Sequence, residues 1–283
     1  MTLPATPAQI AGVMMILSGM THATVNALFK SGGSDKLAGR AMIDGSAALL
    51  VLPLAFFVPW PAGAWVWLAA SAATHMVYLS FLIRAFAVAD MSAVYPVMRG
   101  SAPVIAALGS VAVLGDAMTP TIALGIACVC AGTVLVAARN APPLHALGWA
   151  LATGAAIAAY TVIDARGVRA APATISYVVW DFILCGAGIG GFFAARRRRD
   201  FVHAARTQWR VGLIAGSLSI LSYGLALGAY RLGNLARLAA LRETSIVFGL
   251  VIAAVFLRER VNMARAAGGA MIAAGAAVLI ILG

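Results

Sequence analysis

Apolar runs of about twenty residues, separated by short stretches of Gly, Pro, Asp and Arg, are the dominant pattern of the chain. They fall at 9–29, 39–58, 63–87, 92–114, 120–137, 145–164, 172–195, 209–230, 237–257 and 263–282, five in each half. Runs of this length suit helices that cross the ~30 Å hydrocarbon core of a bilayer. The predicted fold is therefore all-α and integral to the membrane, with ten transmembrane helices.

The fourth run is the most expensive to place in lipid, because Tyr95-Pro96-Val97-Met98-Arg99-Gly100-Ser101-Ala102-Pro103 sets a cation and two prolines within it. An arginine in hydrocarbon costs a few kcal/mol or more, and a carbonyl freed by proline needs another partner, so both belong against protein or a cavity. Tyr95 and Pro103 lie one turn either side of Arg99, and this face is expected to line the pathway. A shift of 143 carries Arg99 onto Arg242, Ser101 onto Thr244, Leu114 onto Leu257, Asp116 onto Glu259, Gly125 onto Gly268 and Gly132 onto Gly275. Shifts of 136 and 137 match Gly12 with Gly148, Ala23 with Ala159, Asp44 with Asp181 and Phe56 with Phe193. The chain thus reads as two copies, 1–140 and 141–283. With five spans per copy the second enters from the opposite side, giving two inverted five-helix repeats and a substrate site between them near mid-membrane.

Composition agrees with the pattern: 63% of the 283 residues are hydrophobic and 10% charged, with a mean hydropathy of +0.96. A soluble domain carries about 25% charged residues, so a soluble Ala- and Gly-rich α/β protein is excluded. The net charge of +11 resides mainly in short loops and sets orientation, with no nucleic-acid partner implied. Fourteen Lys and Arg follow odd-numbered spans and four follow even-numbered ones, which places both termini outside by the positive-inside rule. The N-terminal residues do not read as a signal peptide. Cys128, Cys130 and Cys185 read as packing residues, with no metal site or cofactor expected.

Polar residues inside the spans are the candidate chemistry. Ser18, His22 and Asn26 form a line on the first span, with His22 either a substrate contact or a satisfied hydrogen-bonding group. Asp44, four residues after Arg40, and its repeat mate Asp181 are coupling groups or structural charges. Ser71, His75, Tyr78 and Leu82 on the third span match Ser219, Tyr223, Ala226 and Tyr230 on the eighth in spacing. Arg242 is followed at once by Glu243, and neighbours on a helix point about 100° apart, so each needs its own partner. Both Arg99 and Arg242 are either open to a solute or structural partners of Asp44, Asp181 or Glu243. A guanidinium left free suits a carboxylate held by both of its edges. The expected substrate-binding residues are Arg99, Arg242, Tyr95, Tyr78, Tyr223, His75, His22 and Asn26, with Asp44, Asp181 and Glu243 as coupling or structural charges. Gly125, Gly132, Gly268 and Gly275 offer smooth faces for packing within a monomer or in a homodimer. The run Arg196-Arg197-Arg198-Arg199-Asp200 through Arg210 reads as a solvated loop near lipid headgroups.

These residues resemble a family. Arg84-Ala85-Phe86 through Asp90-Met91-Ser92-Ala93-Val94-Tyr95-Pro96, Leu114-Gly115-Asp116, Ala229-Tyr230-Arg231-Leu232-Gly233 and Phe256-Leu257-Arg258-Glu259-Arg260 look like the EamA-type, ten-helix members of the drug/metabolite transporter superfamily. The resemblance spans the chain. It implies a multi-pass protein of the bacterial inner membrane, exporting small organic solutes by alternating access and similar to the aromatic amino acid exporters. Spans one to four and six to nine would line the cavity, with five and ten set aside. A lipid or polyprenyl-linked flippase of the same superfamily is the alternative. The Leu-Gly-Glu pattern typical after the fourth helix appears as Leu114-Gly115-Asp116 and Leu257-Arg258-Glu259. The first span lacks the glutamate of the four-helix multidrug exporters, so their proton-for-cation exchange does not transfer. The loops, apart from the basic one, are too short to build an enzyme site, and repeats with a kinked fourth helix favour a carrier over a pore.

Overall fold

The computed structural model describes residues 6–31, 36–89, 91–136, 143–256, 258 and 261–282, and every regular element among them is helical. Asp90, Arg139, Leu257, Glu259 and Arg260 lie outside the described residues. The helices are α1 (Pro7–Ser31), α2 (Lys36–Val51), α3 (Trp65–Val88), α4 (Met91–Gly109), α5 (Pro120–Val136), α6 (Leu144–Ala170), α7 (Thr174–Arg196), α8 (Arg198–Thr207), α9 (Trp209–Leu232), α10 (Leu235–Leu241), α11 (Thr244–Val255) and α12 (Met263–Ile281). Among the described residues nine helical segments, with α10 and α11 acting as one, are long and apolar enough to cross a membrane, and α5 is a shorter apolar helix. Leu108, Leu124, Leu151, Ile214 and Val251 are exposed, as befits side chains that face acyl chains rather than water.

Two differences from the sequence reading stand out. The stretch expected as a solvated loop forms the helix α8, with Asp200 in its first turn and Arg206 in its last, each at the end its charge favours. Its Ala204 is buried against Ala38, Ala41, Met42 and Phe193, and that apolar stripe is what turns a basic stretch into a docked amphipathic helix. The ninth run, read as one span over 237–257, is broken between Leu241 and Thr244 into α10 and α11.

α4 runs as helix through both Pro96 and Pro103, and the distortion falls later, in a wide π-turn at Ser110–Leu114. Gly115 then takes φ 69°, a left-handed conformation that costs glycine little. At an offset of 143, Arg258 adopts φ 53°, where a side chain makes the same turn at about 1–2 kcal/mol.

The packing contacts come in matched sets. α1 lies along α9 and α3 along α6, α4 packs on α6 and α11 on α1, α2 contacts α9 and α3 contacts α7, and α2–α7 and α5–α12 pair directly. The α5–α12 contact is made by the glycine faces: a Cβ on Gly132 would sit 2.7 Å from the Gly268 carbonyl, and one on Gly275 2.9 Å from the Gly125 carbonyl. Gly132→Leu is therefore expected to force the two backbones apart and cost about 1–3 kcal/mol. Gly249→Ala, where nothing lies within 4 Å, should be neutral or stabilising. Thermal unfolding in detergent compares the two, and equal melting temperatures would refute the close contact.

Candidate functional site

The break between α10 and α11 organises the centre of the molecule. Nothing in Leu-Ala-Arg-Leu-Ala-Ala-Leu-Arg-Glu-Thr-Ser interrupts a helix by propensity, yet Arg242 caps the end of α10 and Glu243 the start of α11. The cation thus sits at the negative end of one helix dipole and the anion at the positive end of the next, which favours both charges in a low-dielectric interior. Neighbouring helices come close at the break, since a Cβ on Gly19 of α1 would stand 2.9 Å from Thr244 Oγ1. Such proximity keeps the freed backbone groups in protein rather than in lipid.

Arg99 answers the anion. Its Nε lies 3.0 Å from Glu243 Oε2, with the two side chains 10% and 4% exposed, and its Nη2 donates to Ser245 Oγ at 3.1 Å. The partner of Arg99 is therefore Glu243, not either of the aspartates considered from the sequence, because packing α4 across the break joins groups that no helical spacing relates. Arg242 is different. Its guanidinium lies 5.1 Å over the Tyr223 ring, its Nε has no hydrogen-bond acceptor, and among the described residues it forms no ion pair.

Both arginines border a narrow pocket between α4, α6, α9 and the break, with room in this conformation for little more than a water molecule, so a solute enters only as the walls part. Its wall comprises Arg99, Arg242 and Glu243, the rings of Tyr160 and Tyr230, and an apolar side that includes Pro103 and Ile157. A pocket with a few convergent polar groups in an apolar wall is the ordinary form of a small-molecule site.

Behind Tyr160 lies a second polar layer. His75 stacks on the Tyr160 ring with centroids 4.1 Å apart, and Tyr78 meets that ring edge-on at 5.8 Å. Asp164, fully buried, accepts hydrogen bonds from the hydroxyls of Tyr177, at 2.9 Å, and Tyr223. Asp181 accepts from Ser71 Oγ at 3.2 Å, and Cys185 Sγ lies 3.8 Å away. One ligand atom each from His75, Asp181 and Cys185 falls within 4.8 Å of the others. That is the nearest approach to a metal-binding set among the described residues, although Ser71 already engages His75 Nδ1.

The remaining predicted residues lie elsewhere. Asp44 pairs with Arg40 of its own helix, Oδ2 to Nε at 2.6 Å. Tyr95 packs with Leu82 against Met98, Ala146 and Ala150. Ser18 and Ser222 exchange hydroxyl-to-carbonyl hydrogen bonds of 2.7 and 2.9 Å between α1 and α9. His22, half-buried one turn on, lies within electrostatic reach of Arg242, Arg99 and Arg40, and Asn26 is exposed. Asp164 and Tyr160 are missing from the sequence reading. The sixth run was ended at residue 164, whereas α6 continues to Ala170, and the polar positions Tyr160, Thr161 and Asp164 on one face were the available signal.

At one end of the bundle Asp116 ties the halves together. It accepts from Ser110 Oγ at 2.6 Å and from the Leu235 N–H at 2.7 Å, and its Oδ1 lies 3.3 Å from Arg169 Nη1. Arg169 also donates to the carbonyls of Tyr230 and Gly233, while Asn234 donates to Ala117 O. Burial pushes the Asp116 carboxyl up, but the hydrogen bonds from Ser110, Leu235 and Arg169 outweigh it and hold it below the usual carboxylate range.

No curated protein sequence matches the chain. A crystal structure of a protein with 21% sequence identity superposes with a TM-score of 0.71, over 98% of this chain and 99% of that one, a likeness of fold. The model of the EamA-like transporter family matches residues 144–281, which run from the start of α6 to the end of α12. Through that half the chain is similar to the EamA-like transporter family, which supports a multi-pass membrane transporter of the drug/metabolite transporter superfamily.

Proposed function

We propose that the protein is a secondary carrier of small organic solutes that bear a carboxylate, amino acids or related metabolites, working by alternating access between two five-helix repeats, 1–140 and 141–283. Arg242 is the group that binds the carboxylate. The observation that carries this reading is a guanidinium on the cavity wall that forms no ion pair among the described residues and whose hydrogen-bond partner is the Tyr230 hydroxyl, which leaves the rest of its donors for a ligand. Glu243 holds Arg99 instead, and the rings of Tyr160 and Tyr230 with Ile157 supply an apolar wall for the rest of the solute. The repeat reading draws support from the matched packing sets, from the shared left-handed turn at Gly115 and Arg258, and from a family match one repeat long. Ten crossings follow if α5 also spans. Asp116, just before α5, touches the end of the 27-residue α6, so α6 begins, and α5 ends, toward the opposite face.

The test is counterflow in proteoliposomes with labelled amino acids, their decarboxylated amines and labelled lipid. Wild type should exchange the amino acids alone. Arg242→Lys keeps the charge but loses the fork, and is expected to weaken apparent affinity tenfold or more, the loss of a charge-assisted hydrogen bond worth about 1.5–3 kcal/mol. Unchanged affinity in well-folded Arg242→Lys would refute the assignment, and movement of lipid alone would favour a flippase.

A further inference from the structure

The buried acids of the described spans divide into two kinds. Asp44 and Glu243 each face an arginine, Arg40 and Arg99. Asp164 and Asp181 do not: the partners of Asp164 are the hydroxyls of Tyr177 and Tyr223, and those of Asp181 are Ser71 and the Cys185 thiol. Asp181 lies within electrostatic reach of both Asp164 and Asp44. The groups facing the two acids are thus Ser71 and His75 from α3, Tyr177 and Cys185 from α7, and Tyr223 from α9, with Asp44 on α2. Across the Tyr223 ring is Arg242, one cation for two carboxylates. Ionising both at once would leave a net negative charge inside the membrane, which is costly.

We propose that Asp181, which like Asp164 is a buried acid without a cation partner, holds an exchangeable proton, and that it is the coupling site of the carrier. The coupling role rests on the transport reading above; the proton itself does not. The inner part of a route for it is in place. Ser71 Oγ lies 3.2 Å from both Asp181 Oδ1 and His75 Nδ1, and His75 stacks on Tyr160, which forms part of the cavity wall. When the Tyr160 ring moves aside and the imidazole gains a proton, that proton can pass through the Ser71 hydroxyl to Asp181, each group giving up one proton as it gains one. The repeat mate Asp44 does not share this function, because the Arg40 guanidinium 2.6 Å away already balances its charge.

Infrared spectroscopy of the detergent-purified protein tests this without any solute. At pH 7 a protonated-carboxyl C=O band is expected, shifting in D₂O, lost in Asp181→Asn and unchanged in Asp44→Asn. Ser71→Ala, which removes one hydrogen bond to Asp181, should move the band if Asp181→Asn fails to fold. His75→Phe should keep the band but slow its exchange in D₂O. No band at pH 7, a band that never exchanges, or a band that disappears only in Asp44→Asn or Asp164→Asn would each overturn the proposal. The carrier reading would survive such a result, since counterflow depends on Arg242.

Discussion

Glu243→Gln should be among the most damaging single changes in the protein, lowering stability by about 3–5 kcal/mol, the cost of removing one member of a buried ion pair. The Arg99 side chain is 10% exposed and would keep Ser245 as its polar partner. Arg242 is an electrostatic neighbour of Arg99, and Glu243 interacts with both, so its loss also leaves two cations on one cavity wall with their shared acid gone. Arg99→Met combined with Glu243→Met should recover most of the lost stability, because an apolar pair of similar volume carries no desolvation cost. Thermal unfolding of the detergent-purified variants decides the matter. A melting temperature for Glu243→Gln within a degree or so of wild type would show that Arg99 does not depend on it, and failure of the double variant to recover would place the damage in packing at the α10–α11 break.

That pair also shows where sequence reasoning stopped. Arg99 and Arg242 were legible as costly residues, since a cation in an apolar run needs a reason whatever the fold. Which of Asp44, Asp181 and Glu243 each would meet was not, because Arg99 reaches Glu243 across 144 residues and only tertiary packing brings them together. The i,i+4 rule did pick out Arg40 beside Asp44, a contact that a single helix supplies. The break itself was hidden for a related reason: Leu, Ala, Arg and Glu are good helix formers, and the charges that cap the two half-helices have meaning only when the chain is already interrupted. The glycine faces were readable as smooth surfaces, and the structure joins them to each other within one chain. α8 escaped because a dense basic run outweighed its short apolar stripe of Ala204 and Ala205. Asp164 was lost because a boundary six residues early made it the last residue of its span, where a polar side chain needs no special reason.

Asp116→Asn is expected to loosen one end of the bundle, and the loss should depend on pH. The carboxylate gathers Ser110 from the end of α4, the Leu235 N–H from the start of α10 and Arg169 from the end of α6. These are contributions of both halves of the chain at one face, so in the alternating-access cycle proposed above the contact opens when that face opens. An asparagine keeps a single acceptor and no charge, and each hydrogen bond made to the charged form is worth about 1.5–3 kcal/mol. Partial exposure and salt screening reduce the total to roughly 2 kcal/mol. The Asp116 pKa is depressed in the folded protein, so the stabilisation is fully present above the unfolded value of about 3.9 and is lost as pH falls through the lower folded value. Wild type and Asp116→Asn should therefore differ in melting temperature at pH 7, begin to converge as pH falls below about 4, and coincide only below the depressed folded value. A gap that stays constant from pH 7 to pH 3 would mean the carboxylate charge is not what holds this face. In vesicles, a released latch should favour the conformation open at that end. Cysteines placed at Ala117 and Asn234, which are joined by a 2.8 Å hydrogen bond in the closed arrangement, should then label faster with an impermeant maleimide in the Asp116→Asn background than in its absence.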